Sequence, residues 1–368
     1  MKIIKSEIIK TYEAWNRRET PCIPPGVALM AAQKMWRDTK GEHSVVAVID
    51  TGIDYKHPDL AGNVIDGASF VNNVMEKEYL DENGHGTHVA GVIAANGAIL
   101  GTAPDAKLLA VKVLDSNGQG KFSNVARGIS WARKWRGANG EKVNVINLSL
   151  GGPTSHPGLH NEIKKALNDN IIIICAAGNA GDGNSVTDEI SYPAFYSECI
   201  AVGAVDNNTQ SANFSNSNSH INIAAPGVDT YSTYLGNTYA KLSGTSLASP
   251  HISGAAALIY SHFFKRFGHY PFPQYVRELL DFMAIDLGNI GFDYLTGYGF
   301  FSFNIDGGKA YRLKTGQNKY YVNGAEKYLK LSPFLKDGQV CLNLNDIADF
   351  TNMVHYITPE QSEISIWL

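Results

Sequence analysis

The sequence has no apolar run long enough to cross a membrane. No stretch approaches the roughly 18 residues that a span requires. The N-terminus, MKIIKSEIIKTYEAWNRRET, breaks the pair Ile3-Ile4 with Lys5, Ser6 and Glu7. It therefore lacks the uninterrupted apolar core of about 7–15 residues that marks a secretory signal, and a cytoplasmic location is expected. Cysteine is scarce. The four residues, Cys22, Cys175, Cys199 and Cys341, show no CxxC spacing. They agree with that location, and Cys175, within the run Ile171 to Ala176, is expected as a buried free thiol. Strong charge is missing too. The formal net charge of −4 lacks the basic excess that a nucleic-acid or membrane-surface partner favours. Internal repeats and low-complexity tracts are also absent.

What is present is an α/β rhythm. A chain of 368 residues suggests one large domain with something small attached. Val45-Val46-Ala47-Val48-Ile49 is a short apolar run rich in β-branched residues, as expected of a strand buried on both faces of a parallel sheet. Similar runs occur at Leu108 to Val113, Val143 to Leu148, Ile171 to Ala176 and Ile200 to Val202, with helical stretches at Asn124 to Trp135 and Leu159 to Asn168 between them. Alternation of this kind predicts an α/β fold with a doubly wound, mostly parallel sheet, whose working residues gather at the carboxyl ends of the strands. The expected division is an N-terminal extension over 1–25, a catalytic domain over 26–315 and a small C-terminal α+β module over 316–368. Pro21-Cys22-Ile23-Pro24-Pro25 predicts an extended linker. In the module, Tyr320-Tyr321-Val322 followed by Asn323-Gly324 predicts a hairpin.

Four residues draw attention at the ends of apolar runs. Asp50 closes the first strand, where an Asp is also a common turn former. His85 lies in Asn83-Gly84-His85-Gly86-Thr87-His88, and His85 with His88 could instead ligate a metal. Ser246 lies in Gly244-Thr245-Ser246-Leu247-Ala248-Ser249-Pro250-His251, ahead of an apolar helix Ile252 to Tyr260. Pro250 suits a first helical turn, so Ser246 is placed at a helix N-terminus, where capping is the ordinary role. Asn179 follows a buried strand in Ala176-Ala177-Gly178-Asn179, where a turn role is ordinary. Together the four form a chemical set. A hydroxyl needs a base to become nucleophilic, the imidazole needs a carboxylate to hold its tautomer, and the oxyanion that follows needs donors.

The segments Asp50-Thr51-Gly52-Ile53-Asp54, His85-Gly86-Thr87-His88-Val89-Ala90-Gly91 and Gly244 to His251 resemble the three signatures of the subtilase family, in the chain order Asp, His, Ser that subtilisin shows. The resemblance covers about residues 25–312. It implies a serine endopeptidase in which Asp50 orients, His85 is the base, Ser246 is the nucleophile and Asn179 shares the oxyanion hole with the Ser246 N–H. It further implies that a peptide is held as a strand between Ser149-Leu150-Gly151-Gly152 and Gly118-Gln119-Gly120. The resemblance also implies an S1 pocket walled by Ser149-Leu150-Gly151 and Ala177-Gly178 with Ala180 and Ser191 near its base, none of them charged, so large apolar P1 residues are expected to be favoured.

Within the family the chain resembles the intracellular bacterial subtilisins in particular, on the lack of a signal, Cys175, the Gly181-to-Glu189 stretch and the Pro-rich segment. That likeness implies a short inhibitory N-terminal extension, with the prolines lying in the cleft. The family's calcium site uses an Asp matching Asp59 and a loop that is shorter here, Asn96-Gly97-Ala98-Ile99. Asp182, Asp188 and Glu189 offer a second set of hard oxygen ligands for calcium, while the chemistry itself needs no cofactor. Protein or peptide substrates are the expected partners, and a homodimer is compatible with the chain. The final 50 residues are similar to modules named after the copper amine oxidase N-terminal domain, on Val322-Asn323-Gly324, Phe334 to Gly338 and Ile347-Ala348. Two other functions fit parts of the pattern: a catalytically silent scaffold, and a metal-dependent hydrolase built on His85 and His88.

Overall fold

The computed structural model describes residues 3–5, 9–10, 21–71, 77–288, 291–304, 312–313, 319–322, 325–328, 334–336 and 339–341. Two short strands come first, β1 (Ile3–Lys5) and β2 (Ile9–Lys10), followed by α1 (Pro25–Leu29). The α/β succession then runs β3 (Val45–Asp50), β4 (Val64–Ser69), α2 (His85–Ala94), β5 (Lys107–Lys112), β6 (Gln119–Lys121), α3 (Phe122–Lys134), β7 (Val145–Leu148), α4 (Pro157–Asn168), β8 (Ile172–Ala176) and β9 (Ile200–Val205). After β10 (Ile221–Pro226) come the hairpin β11 (Thr230–Tyr234) and β12 (Thr238–Ser243), then α5 (Thr245–Phe267), α6 (Pro273–Phe282), β13 (Ala284–Ile285) and β14 (Phe300–Phe301).

Nine of these strands form one sheet in the order β13-β14-β10-β9-β8-β7-β3-β5-β4, parallel except for the β13–β14 edge. The expected buried strands are there because both faces of the sheet are covered. Along β3, Val46 and Val48 point into one apolar core with α2 and α5, while Val45, Ala47 and Ile49 point into the other with α3 and α4. The period-2 alternation of a strand divides the side chains between the two layers. Strand β3 is flanked by β5 and β7, so chain order reverses there. The carboxyl end of β3, at Asp50, is thus a topological switch point, where open α/β sheets place their sites.

Three expectations need correction. The proline stretch is no free linker: Cys22 N–H donates to Ala98 O at 2.9 Å, Leu100 N–H donates to Cys22 O at 3.1 Å, and Pro25 opens α1. The sequence around 21–25 is therefore tied to the main body. Second, the helix expected at Ile252 to Tyr260 is far longer. It begins at Thr245, which puts Pro250 inside it. Gly268 closes it with φ 74°, a left-handed C-cap conformation that suits glycine. Third, the cleft is filled by β1 and not by the prolines, as described below.

Five further short strands follow: β15 (Arg312–Leu313), β16 (Lys319–Val322), β17 (Ala325–Tyr328), β18 (Phe334–Lys336) and β19 (Gln339–Cys341). Strands β16 and β17 flank Asn323-Gly324 and pair antiparallel, as a hairpin signal predicts. Of the other residues on which the module's resemblance rests, Phe334 to Lys336 form β18, while Asp337-Gly338 and Ile347-Ala348 lie outside the described residues.

Candidate active site

Asp50 ends β3, and His85 starts α2. A Cβ on Gly86 would lie 2.1 Å from Gly52 O, so only glycine lets α2 settle directly on the turn after β3. Gly86 N–H donates to Thr51 Oγ1 at 2.9 Å. This close seat brings His85 Nδ1 to 2.7 Å from Asp50 Oδ1, with both side chains fully buried. Asp50 Oδ1 also accepts from Thr51 N–H at 2.7 Å. The carboxylate holds the proton on Nδ1, which leaves Nε2 as the basic nitrogen. Nε2 is buried and has no hydrogen-bond partner among the described residues. Such a base is suited to accept a proton from a hydroxyl.

Ser246 is the second residue of α5. The N–H groups of a helix's first turn have no intrahelical acceptor, and the helix dipole places partial positive charge there. Facing this end, Asn179 follows β8. Its Oδ1 accepts from Thr245 N–H at 2.8 Å and from Thr245 Oγ1 at 2.9 Å. Thr245 Oγ1 itself accepts from Gly178 N–H at 3.0 Å. With its oxygen fixed, the Asn179 amide turns its NH2 end away from Thr245. Sequence reasoning found Asn179 but missed Thr245. The adjacency of Thr245 to Ser246 was visible, but its reach across to Asn179 depends on the β8–α5 packing.

A narrow pocket lies beside Ser246, lined by Ser149, Leu150, Gly151, Ala176, Gly178 and Ser191. None of these is charged. The expected wall residue Ala177 instead points its side chain into the core, and Ala176 takes its place. The edge strand β6 contains Gly120, with Gly118 in the preceding turn, where its N–H donates to Asp115 O. Between the two rims lies the chain's own N-terminus. Strand β1 pairs antiparallel with β6, Ile4 opposite Gly120, and Lys5 bridges Gly151 on the other side. Ile4 is fully buried, against Gly152 and within the core cluster that holds Phe122. Ser246, His85 and Asp50 are each 0 % exposed.

This geometry agrees with the sequence comparisons. Residues 41–299 match the model of the subtilase family of peptidases. The chain belongs to the subtilase family. The intracellular serine protease of Paenibacillus polymyxa is 44% identical over 262 residues, covering 70% of this chain and 77% of that protein. The major intracellular serine protease of Bacillus subtilis is 44% identical over 287 residues, covering 74% and 88%. Subtilisin E of the same organism is 45% identical over 272 residues, covering 73% and 67%. The subtilase is a serine endopeptidase that acts on protein or peptide substrates, and its α/β sheet is the one such enzymes share.

Metal ligation fares differently in this subtilase. His88 is buried, its Nε2 lies 3.0 Å from Ala240 O, and burial pushes its pKa down to about 3. With His85 committed to Asp50, the two histidines do not form a metal pair. Asp182 Oδ1 accepts from Asn184 N–H and Thr187 Oγ1, and Glu189 Oε2 accepts from Ser217 N–H. Asp182, Asp188 and Glu189 are not gathered, and no group of three His, Cys, Asp or Glu that could hold a metal exists among the described residues. At the family's calcium position, Asp59 Oδ2 accepts from Ile99 N–H at 2.9 Å and Tyr239 O–H at 3.0 Å. A Cβ on Gly97 would lie 2.1 Å from Asp59 Oδ1. Oδ2 is thus held by protein donors, while Oδ1 packs against Gly97 and has no hydrogen-bond partner among the described residues; with no second and third carboxylate, His or Cys gathered beside Asp59, these residues do not fit a calcium ion. Cys175 and Cys199 are buried and free, and burial raises the Cys175 thiol well above its ordinary range. Among the described residues, no helix is long and apolar enough to cross a membrane.

Proposed function

We propose that Ser246 attacks the scissile carbonyl, with His85 as general base and Asp50 holding the imidazole. The observation that carries this assignment is the buried 2.7 Å contact between Asp50 and His85, which leaves Nε2 without a hydrogen-bond partner among the described residues and able to take a proton. Nε2 takes the Ser246 proton as the Oγ–carbon bond forms. The carbonyl oxygen becomes an oxyanion, which receives the Asn179 NH2 and the Ser246 N–H. The imidazolium then protonates the leaving amine, the C–N bond breaks, and water repeats the sequence on the acyl-enzyme. Nucleophile, base and oxyanion donors are all protein groups, and no step is assigned to calcium. The uncharged lining of the cavity supports an apolar P1 residue. Hydrolysis of casein by the wild-type chain and by Ser246→Ala tests the assignment. The variant should keep its fold and lose turnover by the order of 10⁶, as subtilisin does when its nucleophile is removed. A serine-directed fluorophosphonate should label the wild type at Ser246 alone. Activity within tenfold of wild type in the variant would sink it.

We further infer that the N-terminal extension is inhibitory. A serine with no exposure cannot meet a protein substrate, and β1 occupies the strand position between β6 and Gly151 where a peptide would pair. The resident segment therefore competes with substrate by β-strand addition. The two relatives named intracellular support a cytoplasmic setting, where such a restraint protects the host's own proteins.

A further inference from the structure

Pro250 lies in the sixth position of α5. It has no N–H, so it cannot make the i→i−4 bond that a helix would direct to Ser246 O. The bond that Ser246 O receives instead comes from another layer of the fold. Ser149 Oγ, just past the end of β7, donates to Ser246 O at 2.7 Å. Its single hydrogen is thereby committed, so the Ser249 hydroxyl at 2.9 Å is the donor in that contact. Asn147 Nδ2 also donates to Ser149 Oγ, at 2.9 Å. Ser253 Oγ donates to Asn147 Oδ1 at 2.8 Å. Asn147, Ser149, Ser246, Ser249 and Ser253 are all 0 % exposed. The network joins the end of β7 to α5 at residues 246, 249 and 253, one face of the helix.

We propose that Ser149 is a positioning residue for the reaction: its hydroxyl replaces the N–H that Pro250 lacks and fixes the backbone of the nucleophile. This rests on Ser246 being the nucleophile. The peptide carbonyl of Ser246 sets the orientation of its own residue, hence of the attacking Oγ and of the N–H that meets the oxyanion. The same Ser149 lines the cavity beside Ser246. One residue therefore sets the spacing between the wall that seats the substrate and the atom that attacks it. A small misplacement between such groups costs rate more than affinity, since about 1 Å is worth up to 10²-fold. A buried hydrogen-bonded serine also stabilises the fold, so a loss of stability alone would not establish the role.

The distinguishing test is a double-mutant cycle with Pro250→Ala, which restores a backbone N–H four residues after Ser246. Wild type, Ser149→Ala, Pro250→Ala and the double variant are assayed on a small peptide substrate, with active-site titration by a fluorophosphonate. Ser149→Ala should lower kcat about tenfold, with KM and the pH profile unchanged. In the Pro250→Ala background the same substitution should cost less than twofold. An equal cost in both backgrounds overturns the proposal, and so does a rise in KM at constant kcat. If Ser149→Ala alone does not fold, the double variant against Pro250→Ala decides by the same limits: under twofold supports, tenfold overturns. Rates and label are read after the activation lag has ended; absence of label on Ser246 in the wild type at that point would instead overturn the assignment of the nucleophile.

Discussion

Thr245 donates both its backbone N–H and its hydroxyl to the side-chain oxygen of Asn179, at 2.8 and 2.9 Å. The residue preceding the proposed nucleophile thus fixes the amide proposed to serve the oxyanion. Because the amide is locked before substrate arrives, no reorganisation is needed when charge develops. Asn179→Ala should lower kcat by roughly 10²–10³, the range that subtilisin shows, with KM little changed. Thr245→Val keeps the N–H but loses the hydroxyl, so a smaller fall in kcat is expected. Steady-state kinetics on one peptide substrate measure both. A variant that loses affinity while keeping kcat would contradict the role.

Removal of the extension should release the enzyme. The cut belongs before Pro21, since Cys22 is bonded to the loop 98–100. A chain starting at Pro21 should hydrolyse a small peptide at full rate from the first moment. The full-length chain should show a lag that ends as the segment is cleaved. Equal initial rates and no lag would remove the inhibitory role. Ile4→Asp, which puts a charge into a buried apolar site, should shorten the lag.

The P1 profile should be led by apolar residues, with Arg, Lys, Asp and Glu disfavoured. Ser191 lies against both walls: a Cβ on Gly151 would sit 2.3 Å from Ser191 Oγ, and one on Gly178 would sit 3.0 Å from Ser191 Cβ. Ser191→Gly should therefore raise kcat/KM for Phe and Tyr relative to Leu by roughly tenfold. A profile dominated by basic residues, or a ratio unmoved by the substitution, contradicts this account.

Acid should weaken the fold between about pH 6.5 and pH 4. His251 Nδ1 lies 2.8 Å from Leu247 O, and burial pushes its pKa down to about 4, as it pushes that of His88 to about 3. Between the unfolded value near 6.5 and these lowered values, the unfolded chain binds more protons than the folded one. Stability therefore falls as pH falls through that window. A Tm series measured over pH 4–7.5 should decline below pH 6.5 in a Ser246→Ala background, where self-digestion cannot interfere. A flat curve would rule out the coupling.

Chelation should leave stability unchanged at the Asp59 position: Ile99 N–H and Tyr239 O–H hold its Oδ2, and among the described residues no group of three His, Cys, Asp or Glu that could hold a metal gathers there. Tyr239→Phe, by contrast, removes one of those donors in a fully buried site and should destabilise by about 1–3 kcal/mol. Thermal unfolding with calcium or EDTA, for wild type and variant, checks both statements. A large calcium-dependent rise in Tm that disappears in Asp59→Asn would overturn the first.

The sequence by itself determined the family and the sheet, and it singled out the four residues proposed for the chemistry. Buried parallel strands announce themselves as β-branched runs, and tight Gly-flanked motifs mark where backbones must meet. Asp50, His85, Asn179 and Ser246 could therefore be read from short windows. What only the tertiary structure decided are relations between windows that local pattern cannot report. Pro250 signals a helix start locally, yet α5 tolerates it internally because Ser149, on another element, bonds the carbonyl that Pro250 leaves without a helical N–H. Asp59 reads as a calcium ligand by position, yet Tyr239 from β12 and the Ile99 N–H of the short loop hold its Oδ2. The prolines at 21–25 look like the natural obstruction of a cleft, but Ile3 to Lys5 fill it. Strand addition needs a matching backbone register and one buried side chain, and it is the partner edge of β6, invisible from the N-terminal sequence, that selects them.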